Sequence, residues 1–166
     1  MINTKLAISR RKFNLQERAS LLDGSVWGQD LSWFEVEHMA NYFDVHDYAP
    51  DIIIMKEGSK RDPYIGLIIS GTVNIIKEDI QGHQKILTHI GKGKTFGEMS
   101  VIDGLSSSAT VITTSDVLLM TLEKKNFHHL IVDNPTLGSK FLFKLLKIMS
   151  ARIRETSGKL IDFVDP

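Results

Sequence analysis

The chain reads as a mainly β protein, a barrel or sandwich with flanking helices and one long helix near the C-terminus. Three observations carry this reading. Between Asp51 and Glu123, short apolar runs alternate with glycine-containing turns, the pattern of many short strands. On both sides of that stretch the apolar residues recur at helical spacing instead. The 166 residues are 42% apolar and 24% charged, which suits one domain with a core of its own.

A short helix fits Leu15–Leu22. Ser32-Trp33-Phe34-Glu35 then has the spacing of a capping box, and Val36, Met39, Ala40 and Phe43 follow at helical period, so a helix is expected over Ser32–Tyr42. Strands are expected at Asp51–Met55, Tyr64–Ile69, Thr72–Lys77, Lys85–Ile90, Ala109–Thr113 and Val117–Leu122. Turn signals separate them at Glu57-Gly58, Ser70-Gly71 and Gln81-Gly82, and Gly93 and Gly97 mark further bends. Phe127, Leu130 and Ile131 fit a short helix. Asn134-Pro135 reads as an N-cap followed by proline at the first helical position, opening a long helix to about Ser157, with Gly158 as its stop. The organisation is an N-terminal helical segment (1–27), a β unit (28–134) and a C-terminal helix with a tail (135–166).

The long helix is apolar on more than one side. Phe141, Leu145 and Ile148 form one stripe; Leu142, Leu146, Met149 and Ile153 form another. Lying on a β unit requires one stripe. The second is expected to meet a copy of itself, making a homodimer, with Phe141, Leu142, Leu145, Leu146, Met149 and Ile153 as the residues of the dimer helix.

Lys plus Arg equal Asp plus Glu at 20 each, so the basic excess of a nucleic-acid binder is absent. The one basic run, Arg10-Arg11-Lys12, reads as a solvated tail. No cysteine is present, which removes disulfides and thiol chemistry and fits a reducing compartment. No apolar run reaches the ~20 residues of a membrane helix, and no signal-peptide core opens the chain, so a cytoplasmic location is expected.

The stretch Phe96–Val111, FGEMSVIDGLSSSATV, holds the candidate site. Gly97 lets backbone approach a ligand closely. Met99–Ile102 can form a helical turn whose free N–H groups suit an anion. Glu98 would repel a phosphate but accepts a hydrogen bond from a sugar hydroxyl. Ser107 and Ser108 can donate to phosphate oxygens. No Arg or Lys lies within the stretch; Lys92 and Lys94 precede it.

The order helix, about eight strands, short helix, long helix, with Gly93-Lys94-Thr95-Phe96-Gly97-Glu98 before the last strand pair, resembles the cyclic nucleotide-binding domain of bacterial catabolite-activator-type regulators and protein kinase A regulatory subunits. The resemblance spans about Leu31–Ser157 and implies a double-stranded β-helix, a jelly-roll-like β-roll, plus the long C-terminal helix. The family's phosphate-binding cassette reads Phe-Gly-Glu-Leu-Ala-Leu, a short gap, then Arg, a small residue, Ala and Thr. Here Phe96–Val101 matches the first part and Ser108-Ala109-Thr110 the last. The resemblance implies that Glu98 holds the ribose 2′-hydroxyl and that the amides around Met99 and Ser100 face the cyclic phosphate. It puts the Ser108 hydroxyl on that phosphate, with Gly97 and Ala109 lining the site. Thr156-Ser157 looks like the pair that reaches the base across a dimer. The family arginine is replaced by Ser107. A charge-assisted hydrogen bond contributes ~1.5–3 kcal/mol, so weakened binding is expected, by about tenfold to over a hundredfold.

The expected function is therefore a non-enzymatic sensory module for cyclic AMP, cyclic GMP or a related nucleotide, with no cofactor, relaying binding through the long helix to the other subunit or a protein partner. The alternative is a ligand-free roll acting as an interaction scaffold. A β-barrel with histidines also raises the metal-dependent cupins, which use His-x-His with a nearby Glu. No His-x-His occurs here; His83 and His89 are separated, and His128-His129 point apart on a helix. No metal or catalytic residue is expected. Nothing marks a base held against the serines. After the long helix only Lys159–Pro166 remain, too short for a helix-turn-helix, so direct DNA recognition is not expected.

Overall fold

The computed structural model describes residues 12–164. Of the basic run, Arg10 and Arg11 lie outside the described residues, as do residues 1–11 of the N-terminal segment and the last two of the tail. The chain divides into two compact units, one ending at His128 and one beginning at His129.

The first unit opens with α1 (Leu15–Asp23) and α2 (Trp33–Ala40). Each starts at a reciprocal capping box, Asn14 with Glu17 and Ser32 with Glu35. Both helices bury small or apolar side chains: Ala19 and Leu22 from α1, Val36, Met39 and Ala40 from α2.

Eight strands follow: β1 (Asp44–Tyr48), β2 (Ile53–Met55), β3 (Tyr64–Ser70), β4 (Thr72–Glu78), β5 (Gln84–Gly91), β6 (Thr95–Phe96), β7 (Thr110–Thr113) and β8 (Val117–Glu123). They form two four-stranded antiparallel sheets, ordered β1-β8-β3-β6 and β2-β7-β4-β5. Ile68, Phe96, Val117 and Leu119 of the first sheet meet Val73 and Val111 of the second in one core cluster, with Tyr64, Met55 and Ile75 packed against it. Fully burying one such aliphatic side chain stabilises the fold by about 1.5–3 kcal/mol. This is the β-roll. β8 lies between β1 and β3 and is buried along most of its length, which explains its nearly unbroken apolar run.

Expectations change at several points, among them β6, whose two residues carry no strand period and which is not expected from the sequence. β1 is not among the expected strands: Asp44-Val-His-Asp-Tyr48 is too polar to read as one, and it is extended because it pairs along its whole length with β8. The strand expected at Asp51–Met55 begins only at Ile53. Asp51 adopts a left-handed φ of 63°, and Thr113 fastens the turn: its hydroxyl donates to the Ala49 carbonyl at 2.7 Å and accepts the Ile52 amide at 2.9 Å. Gly58, Gly71 and Gly93 do sit at turns with positive φ.

A further change concerns the long C-terminal helix. The short helix α4 (Lys124–Asp133) leads to Asn134, whose side chain accepts the Leu137 amide at 3.1 Å, and α5 (Pro135–Val164) starts there as expected. Gly158 does not stop α5, which continues to Val164. A glycine within a helix costs ~1 kcal/mol and does not by itself end it, and the next six residues contain neither proline nor glycine. Along α5, Phe141 and Leu145 are already buried within the single chain, which takes them out of the expected dimer residues; Leu142, Ile148 and Met149 are half-buried, and Leu146 and Ile153 exposed. Among the described residues, no helix is long and apolar enough to cross a membrane.

Candidate functional site

The site is built where β6 ends. Gly97 has φ 82° and ψ 0°, a left-handed turn that redirects the chain into α3 (Glu98–Asp103). A Cβ at this position would lie 2.3 Å from the Tyr64 carbonyl oxygen and 2.7 Å from Met55 Cε. Only glycine fits that approach and that φ together. Tyr64 is itself fixed: its hydroxyl donates to the Ile54 carbonyl and its ring meets Phe96 edge-on with centroids 6.1 Å apart. Burial, and after it the neighbouring Tyr48, holds the Tyr64 phenol neutral far above its usual range.

Glu98 is buried, and the Thr95 hydroxyl donates to its Oε1. That bond orients the carboxylate. The Ser100 hydroxyl turns back to donate to the Gly97 carbonyl at 3.0 Å, closing the first turn of α3. Met99 is exposed, and its Sδ lies 3.9 Å from the Ser108 hydroxyl. α3 ends at Gly104, again left-handed at φ 72°.

The serine segment lies against the turn after β2. The Ser107 amide donates to the Ser59 carbonyl at 2.9 Å, and the Gly58 amide donates to the Ser107 carbonyl at 2.8 Å. Thr110 Oγ1 accepts the Glu57 amide at 3.0 Å. Ser107 is buried, Ala109 half-buried and Ser108 exposed. Gly97, Glu98, Met99 and Ser100 are thus consecutive around one turn, and Ser108 reaches them through Met99. Thr156 and Ser157 are exposed on α5, in the second unit.

Lys92 and Lys94, the cations nearest in sequence, are exposed. The cation that reaches the serine segment comes instead from β4. Lys77 Nζ donates to the Ser108 carbonyl at 3.2 Å and stands 3.9 Å from Glu57 Oε1. Sequence inspection missed it because 31 residues separate Lys77 from Ser108. No local pattern marks it: Lys77 is exposed near the end of β4, one residue after Ile76, which pairs with Thr110 at the start of β7.

Other polar clusters have local roles. Asp79 closes the β4–β5 turn by accepting the His83 and Gln81 amides at 2.9 and 3.0 Å; the His83 amide first, then the Lys85 ammonium at 3.2 Å and the Gln81 amide, hold its carboxyl below the usual range. His83 lies near Asp79, and His89 bonds Asn74, so the two histidines have separate partners. Among the described residues, no group of three or more His, Cys, Asp and Glu is placed to hold a metal ion. An open groove of about 620 Å³, lined by Phe13, Asn14 and residues of α1 that include Glu17, together with Asp47 and Leu118, shares no residue with the Gly97–Ala109 segment.

The family model described as "Cyclic nucleotide-binding domain" matches residues 45–134. A CRP-like cAMP-activated global transcriptional regulator of Mycobacterium tuberculosis is 26% identical over 118 residues, which is 71% of this chain and 50% of that protein. The chain thus spans about half the length of this curated relative. Among solved structures, a cyclic nucleotide-binding domain from Methylobacillus flagellatus superposes with a TM-score of 0.78 at 28% identity, over 89% of this chain and 83% of that one. The Thermus thermophilus catabolite activator protein gives 0.69 at 26% identity, over 82% of this chain and 62% of that one.

Proposed function

We propose that this chain, which belongs to the cyclic nucleotide-binding domain family, is a non-enzymatic regulatory module that binds a cyclic nucleotide or a closely related phosphate ligand at Gly97–Ala109. The observation that carries the reading is the turn at Gly97, held open against Tyr64, which sets a buried and oriented Glu98 beside the first amides of α3. In the proposed complex Glu98 accepts the ribose 2′-hydroxyl through the carboxylate that Thr95 orients. The amides of Met99 and Ser100 and the Ser108 hydroxyl take the cyclic phosphate.

Ser107 stands at the family's arginine position, buried and bridged by its backbone to Ser59 and Gly58. A serine there makes no ion pair. Binding is therefore expected to be weak, micromolar rather than tighter. Thr156 and Ser157 are proposed as base contacts from a second subunit. Leu142, Leu146, Met149 and Ile153 are the proposed homodimer stripe, of which Leu146 is 57% and Ile153 65% exposed. Binding shifts the population of the α3–Ser108 segment, and α5 carries that shift to the other subunit or a protein partner in the cytoplasm.

The test is a thermal-shift screen with cyclic AMP, cyclic GMP and cyclic di-GMP, on the natural chain and on Glu98→Ala. A ligand-dependent rise in melting temperature that Glu98→Ala abolishes supports the reading. No rise with any of them overturns it and leaves an interaction scaffold.

A further inference from the structure

Resting on that reading, we propose that Lys77, from a different strand, supplies the positive charge that the Gly97–Ala109 segment lacks. Three observations meet at this side chain. The segment between Phe96 and Val111 holds no Arg or Lys. The Lys77 ammonium is already hydrogen-bonded to the carbonyl of Ser108, the residue whose hydroxyl faces the proposed phosphate. Lys77 also stands near the end of β4, one residue beyond Ile76, which pairs with Thr110 at the start of β7.

The ammonium is held without being fully committed. Its carboxylate neighbour, Glu57 Oε1, is at 3.9 Å, near the limit of an ion pair, and the Lys77 side chain is half exposed. The other oxygen, Glu57 Oε2, accepts the Glu78 amide at 3.1 Å, so Glu57 is anchored to the backbone of β4. A part-exposed pair at that distance contributes little. A phosphate oxygen arriving beside Ser108 offers the same ammonium a shorter, charge-assisted bond. Four rotatable carbons let a lysine head reorient over several Å while Ser108 keeps its place, a motion a guanidinium fork does not need. The site thus reads a phosphate by a point charge in place of a bidentate arginine.

Isothermal titration of the 166-residue chain with cyclic AMP and cyclic GMP tests this. Variants are Lys77→Gln, Lys77→Arg and, as a control of similar charge, Lys94→Gln. We expect Lys77→Gln to weaken binding by about ten- to thirtyfold with an unchanged melting temperature for the free protein. Its affinity should also fall less steeply with added salt than that of the natural chain. Lys77→Arg should restore most of the affinity, and Lys94→Gln should bind as the natural chain does. Unchanged affinity in Lys77→Gln, or an equal loss in Lys94→Gln, overturns the role of Lys77 and leaves the ligand site standing. Absence of binding to the natural chain overturns both.

Discussion

Gly97 and Gly58 form a matched pair for testing how the site is built. Both have left-handed backbone, φ 82° and 77°. Alanine at either position pays for that conformation, about 1–2 kcal/mol, partly offset by the ~0.4–1 kcal/mol it gains from a less flexible unfolded chain. At Gly58 nothing lies within 4 Å of the added Cβ, so the net loss should stay near ~1 kcal/mol or less. At Gly97 the Cβ would sit 2.3 Å from the Tyr64 carbonyl oxygen, more than 1 Å inside the 3.4 Å at which ordinary contact begins. The obstacle is backbone, in a residue paired with Glu123 on β8 and bonded through its hydroxyl to Ile54. Forcing it aside adds about 1–3 kcal/mol, for a total of ~2–4 kcal/mol. In a domain of this length each kcal/mol moves the melting temperature by about 2–4 °C. Gly97→Ala should therefore melt about 5–15 °C below the natural chain, and Gly58→Ala no more than about 4 °C below it. Differential scanning calorimetry reads both. Equal losses in the two variants would show that the approach to Tyr64 does not constrain residue 97, and the reasoning about the turn would be wrong.

Two other predictions concern different parts of the molecule. Burial raises the Tyr64 phenol above its unfolded value near 10, so the folded state keeps a proton that the unfolded chain has lost. Its contribution is intact below pH ~10 and falls by up to ~1.4 kcal/mol per pH unit above it; urea denaturation from pH 9 to 11.5 should show the natural chain losing its advantage over Tyr64→Phe, and parallel curves would refute the assignment. Charge on the exposed stripe of α5, as Leu146→Glu with Ile153→Glu, should leave the β-roll folded and convert a dimer to monomer in sedimentation; a monomeric natural chain would remove the dimer proposal.

What the sequence disclosed follows from range. The capping box at Ser32, the glycine turns and the apolar runs of β3, β4, β7 and β8 are local patterns, and each appears in the structure within a residue or two. β1 was hidden because its extended form depends on β8, more than 70 residues away in the register Asp44↔Thr121. β6 was hidden because two residues, Thr95 and Phe96, carry no period. The same division applies to the site. Gly97, Glu98 and the serines are contiguous and could be read as a motif. The engagement of Glu98 by Thr95, and of Ser100 by the Gly97 carbonyl, is local but requires side-chain geometry. Lys77 comes from β4 and the Glu57–Ser59 turn follows β2, and the pairing of both strands with β7 brings them to the serine segment. The missing arginine is visible as a letter at position 107, but the group that stands beside its place is visible only in three dimensions.

Ligand location can be read directly by titrating cyclic AMP into ¹⁵N-labelled protein and following the backbone amides. Saturable shifts that begin at Gly97, Glu98, Met99, Ser100 and Ser108 are the predicted result. Shifts centred on the groove at Asn14, Glu17 and Asp47, or a spectrum that stays unchanged at millimolar nucleotide, would contradict the assignment of the site.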